Sequence, residues 1–149
     1  ADRDAMVGEI VNTGQIINNV YMGQNSQYHE KKAALKLINK KMVKPLRLLN
    51  LAANVGVKDE ENFKEISESI EDYINVKVES ELELDDILKN KLDEVMGAFR
   101  YTSHELFVKT RQKKFHDGLN GLQSFDFIFK CKEATNEIKR QLNDKAKPI

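Results

Sequence analysis

The sequence predicts an all-α protein, an antiparallel up-and-down bundle of four to five helices with the second kinked near Pro45. Three observations carry this. Apolar residues recur at heptad spacing in five successive segments; only seven Gly and two Pro interrupt 149 residues; and no pair of β-rich runs flanks a hairpin turn. With 40% hydrophobic and 32% charged residues, the chain is too apolar and too balanced in charge for disorder. Residues 1–149 are expected to form a single helical-bundle domain of a size that buries one continuous core.

The elements follow in order. Val7, Ile10, Gly14, Ile17 and Tyr21 form the first stripe. In GQNS after it, Gly23 is expected to end the helix and Ser26 to cap the next. The second segment carries Leu35, Ile38, Met42, Leu46, Leu49 and Ala53 on one face and stops before Gly56. Pro45 inside it lacks the donor for the carbonyl four residues back, so a kink is expected there. Asp59, with Glu60 and Glu61 behind it, starts a third helix striped by Phe63, Ile66, Ile70 and Tyr73. Residues 75–84 alternate apolar and charged side chains but have no partner strand, and read as a helix end and turn. Leu88, Leu92, Val95, Phe99 and Leu106 mark a fourth helix from Asp85 to about Lys114. Gly118 and Gly121 make the next turn, and Ser124 is expected to cap a last helix carrying Ile128, Cys131, Thr135, Ile138 and Leu142. The predicted core is Leu35, Ile38, Met42, Leu49, Phe63, Ile66, Ile70, Leu88, Leu92, Val95, Phe99, Ile128, Cys131 and Ile138.

One cysteine allows no internal disulfide, which fits a reducing compartment and equally a secreted bundle held by packing alone. No apolar run approaches the ~18 residues that span a bilayer. The N-terminus has neither the pattern of a signal peptide nor an initiator Met, so a mature product or a fragment of a larger chain is expected. The protein is expected to be soluble, either cytoplasmic or secreted with its signal removed.

Sites of chemistry are sparse. None of His29, His104 and His116 has Glu three residues before it, as di-iron bundles require, and no two stand four apart as in a zincin helix. Each is expected to be a solvated or capping side chain. Cys131 continues an apolar stripe with no histidine within a turn, and is expected to be a structural thiol. There is no GxGxxG or GxxxxGK[ST] loop to cradle phosphate. Hence no catalytic residue, metal or cofactor is expected. In SFDFIFK, Phe125, Phe127 and Phe129 alternate; two steps turn a helix by about 200°, so they cannot share one face. They are expected to fill the core on more than one side, the other reading being contact with a ligand or partner.

Charge is the most specific feature. Residues 31–58 hold eight basic residues and no acidic one, residues 59–96 hold fourteen acidic and four basic, and residues 97–116 return to net plus four, in a chain of zero formal charge. On a helical wheel Lys36, Lys40, Lys44 and Arg47 form a ridge opposite the apolar stripe, and Leu37, Leu48 and Leu51 fall beside it with Lys41. Two readings compete. The ridge either matches Glu65, Glu68, Glu71 and Asp72 of the third segment, with Leu37 and Leu48 buried against the last helix, or meets an anionic partner. The internal match is the first expectation. A second basic run, Lys109, Arg111, Lys113 and Lys114, occupies residues 109–114.

GQII at 14–17 followed by KPLRLL at 44–49 resembles the first two helices of the four-helix killer domain of mixed-lineage kinase-like pseudokinases. The likeness covers about a quarter of the chain, and the long acidic third segment departs from it. It implies a membrane-directed role. The residues themselves point first to a non-enzymatic bundle that binds a protein partner, as an adaptor, effector or cytokine-like ligand. The alternatives are binding of anionic membrane or nucleic acid through the basic second helix, with membrane permeabilisation included, and a small-ligand sensor or carrier with an apolar site between helices.

Overall fold

The computed structural model describes the backbone of residues 12–143 and the side chains of residues 28–143. The described residues form four α-helices and two short 3-10 turns joined by loops, with no strand among them: α1 (Asn12–Val55), α2 (Glu60–Glu79), α3 (Asp86–Arg111) and α4 (Asp126–Asn143). The 3-10 turns are Glu81–Glu83, between α2 and α3, and Leu122–Phe125, ahead of α4.

The loop expected at GQNS is instead helical, and the first two predicted segments are one helix of 44 residues. Gly14, Tyr21, Tyr28, Leu35, Met42 and Leu49 stand at successive steps of seven, so the two stripes share one heptad phase and a continuous helix keeps both on one side. Gly23 costs such a helix about 1 kcal/mol, too little to break it. Val7 and Ile10 lie outside the described residues, as do the side chains of Ile17 and Tyr21. The helix continues through Pro45, which is buried. The two stretches that resemble separate helices, GQII and KPLRLL, therefore lie on one helix.

Caps stop and start the helices where polar side chains reach the free N–H groups. The Asp59 carboxylate accepts from Asn62 N at 2.7 Å, and the Asp85 carboxylate from Leu88 N at 2.9 Å. Ser124 does not cap α4. It is buried in the 3-10 turn, where its hydroxyl donates to the Asn120 carbonyl and its own carbonyl accepts from the Thr102 hydroxyl. Gly56 ends α1 at φ 89°, where an added Cβ would overlap the Phe115 carbonyl, and Leu119 N donates to the Ala53 carbonyl at 2.7 Å.

Contacts between helices run in opposite senses. Phe63 meets Phe107 while Lys77 meets Asp93, across α2 and α3. Thr102 meets the Ser124 carbonyl, Glu94 meets Lys130 and Asp85 meets Gln141, across α3 and α4. Each helix is thus antiparallel to the next, and α4 returns to α1, closing an up-and-down bundle. By the register of Lys44 against Glu65, Glu79 ends α2 opposite about residue 30, so α1 outruns its neighbour by roughly 27 Å at ~1.5 Å per residue.

The core holds Tyr73, Phe99 and Phe127 in ring contact, with centroids 5.3 and 6.3 Å apart. The buried Tyr73 hydroxyl donates to the Leu92 carbonyl at 2.8 Å, and burial pushes its pKa up. Cys131 lies among them, its thiol pushed up to about 12 by burial. Twelve of the fourteen predicted core residues are buried. Phe63 and Ile128 are only half-buried. Both sit at the edge of a helix face, Phe63 against Phe107 on the α2–α3 seam and Ile128 on the α1–α4 seam.

Candidate docking surface

The second half of α1 presents the basic ridge. Lys36, Lys40, Lys44 and Arg47 are exposed and Lys41 is half-buried. The expected match to α2 reaches one pair: Lys44 Nζ lies 3.7 Å from Glu65 Oε2, with both side chains about half exposed. Lys36, Lys40, Lys41 and Arg47 pair with no carboxylate among the described residues. The leucines divide. Leu37 is 42% exposed, whereas Leu48 is 7% exposed and belongs to the core. The outward placing of Leu48 is thereby corrected. It lies one turn beyond Lys44, whose side chain reaches α2, and packs into the core cluster. The internal match placed both leucines under the last helix, but Leu37 is open to solvent.

The basic run at the end of α3 is a separate feature. Lys109 Nζ lies 4.0 Å from Asp117 Oδ2, and the Arg111 guanidinium lies over the Phe107 ring at 5.4 Å. Lys113 and Lys114 are exposed beyond the helix end, Lys113 at φ 58°. Phe115 and His116 pack beside Gly56. Nine residues of α1, or about 14 Å, separate that point from Arg47, the near end of the ridge.

The α4-facing flank of α1 carries what the sequence reading missed. An open groove of about 280 Å³ is lined by Val43, Leu46, Arg47, Asn50 and Ile128. Val43 is 56% exposed on one wall, and Phe129 next to Ile128 is 64% exposed. On α4, Lys132 stands one turn beyond Ile128, and Lys139 one turn beyond Thr135, whose hydroxyl meets Met42 Sδ at 3.9 Å. Both lysines are exposed. The acids of α4 point elsewhere: Asp126 lines the α3 side with Lys130, Glu137 holds Arg140 and Gln141, and Glu133 is about 140° round the helix from Ile128. The hydrogen bonds from Arg140 and Gln141 hold the Glu137 carboxyl below its usual pKa. A signal for this groove existed in the sequence. An up-and-down bundle must place its last helix beside its first, and the out-of-phase Phe129 marks the outer side of that helix.

Elsewhere one cation is committed to the fold. Lys77 is 4% exposed, with its ammonium 2.6 Å from Asp93 Oδ1 and 3.3 Å from Glu81 Oε2. Burial alone would lower its pKa, but the hydrogen bond and charge of Asp93, with those of Glu81, raise it. His29, His104 and His116 are exposed at separate places, His104 stacked on Phe107 at 6.5 Å. Among the described residues no three His, Cys, Asp or Glu side chains gather as metal ligands, and no helix is long and apolar enough to cross a membrane. No protein-family model, curated protein or solved structure matches the chain.

Proposed function

We propose that the protein is a non-enzymatic helical-bundle module that binds a protein partner through the α1–α4 seam. One observation carries this reading. An apolar groove lined by Arg47 opens between two helices beside basic side chains that the fold leaves unpaired, and among the described residues the acidic neighbour α2 engages only Lys44 of the ridge. A fold uses buried area and paired charge to hold itself together; side chains that are neither buried nor paired are free for another molecule. The buried, protonated Cys131 and the dispersed exposed histidines support binding over catalysis.

A second reading has its own observation. Leu37, Leu51 and Val55 are exposed on the other flank of the same ridge, a row of apolar side chains beside lysines that suits an anionic membrane surface. Affinity capture from extract separates the two. The wild type is expected to retain a protein that Val43→Glu loses and that Leu51→Glu keeps. Retention of lipid or of nuclease-sensitive material alone, or equal capture by both variants, contradicts the protein-binding reading.

A further inference from the structure

The chemistry of the seam narrows the class of partner, given that the seam is the docking surface. Its floor is apolar and recessed, made by the half-buried Leu46 and Ile128 with Val43 above them. Its rims are basic on both sides: Lys36, Lys40 and Arg47 on α1, Lys132 and Lys139 on α4. No carboxylate of either helix points between the rims among the described residues, because Asp126, Glu133 and Glu137 occupy the other side of α4. From Val43 to Asn50 the groove follows α1 for about 10 Å, roughly two helical turns, and the basic rim of α1 continues past it to Lys36.

We infer that the seam receives an acidic amphipathic α-helix of a partner protein, its apolar stripe on Val43, Leu46 and Ile128 and its carboxylates between the two basic rims. A helix fits because two packed helices leave a straight trough that takes side chains spaced i, i+3, i+4 and i+7. Acidic flanks fit because any other charge would face unpaired cations on both sides. A bilayer fits less well, since the apolar floor lies below the level of its lysines. Nucleic acid fits less well, since the floor is aliphatic where bases would stack.

The test is a fluorescence titration of the full chain with a labelled peptide of about 18 residues, Leu at the four anchor spacings and Glu on the flanks. Its counterpart carries Lys for Glu. Saturable binding of the acidic peptide alone, weakening as salt rises, supports the inference. So does a loss of at least about tenfold in Lys36→Glu/Lys40→Glu/Arg47→Glu together with unchanged binding by Leu51→Glu. The salt dependence of the wild type reads the same claim without any variant. No binding of the acidic peptide, equal binding of both peptides, or ridge-dependent binding of phosphatidylserine vesicles or RNA without the peptide overturns it. If the peptide fails while Val43→Glu still abolishes capture of a protein, the occupant is wrong and the docking role stands. If Val43→Glu leaves capture intact, the docking role falls as well.

Discussion

Lys77 and Lys40 are one residue type in opposite circumstances. Lys77 is enclosed between α2 and α3, with Asp93 and Glu81 around its ammonium. Lys40 stands in solvent on α1 with no carboxylate near it among the described residues. The first charge is committed to the fold, because an ammonium out of water must be paired. The second has no such partner among the described residues. The difference separates charge that the fold has paired from charge that it leaves in solvent beside the α1–α4 seam, where the proposed partner would sit.

Substitutions can break or sharpen this contrast. The largest effect belongs to neither lysine. Leu92 is fully buried on α3, and Leu92→Ala is expected to cost about 2–5 kcal/mol in denaturant unfolding through lost transfer energy and a residual cavity. Next comes Asp93→Asn, which leaves the Lys77 ammonium with Glu81 alone. About 1–2 kcal/mol is expected, less than for a fully buried pair because Asp93 is half exposed. Lys77→Met should cost less than Asp93→Asn, since it removes the buried charge and keeps the packing. Because the folded pKa of Lys77 is raised, the contribution is whole at neutral pH and is lost only as pH climbs beyond the ordinary 10.5. The smallest effects lie at the surface. Lys44→Ala, which removes the pair with Glu65, should change stability by a few tenths of a kcal/mol. Glu137 works in the opposite pH direction: its lowered pKa gives stability present above the ordinary 4.5 and lost as pH falls, so Glu137→Gln should flatten the acid limb of a melting profile.

How much of this was legible in the chain depends on which physical signal carried it. Helical class, the caps at Asp59 and Asp85 and most of the core follow from periodicity and N-cap chemistry, which act locally. The break at GQNS did not materialise, because a heptad phase running from Gly14 to Leu49 outweighs the weak propensities of Gly23 and its neighbours. Ser124 was misread for a related reason: a residue suited to capping was taken into a buried 3-10 turn that joins α3 to α4. For the surface, a wheel gives the angle at which a side chain leaves the helix but not how fully a neighbour covers it at each height. Leu37 and Leu48, about 20° apart on the wheel, therefore looked alike in sequence and differ in the fold. The seam itself needed Val43 and Ile128, distant in the chain, brought side by side.

The central claim, that the ridge serves a partner and not the fold, is tested most directly by one paired measurement on Lys36→Glu/Lys40→Glu/Arg47→Glu. Its thermal unfolding should be followed at low and high salt beside its affinity for the acidic peptide. The account predicts a stability within about 1 kcal/mol of wild type at both salt concentrations, with peptide affinity reduced at least about tenfold. A clear loss of stability at low salt that recovers as salt screens the charges, with peptide affinity unchanged, would show that the ridge belongs to the fold.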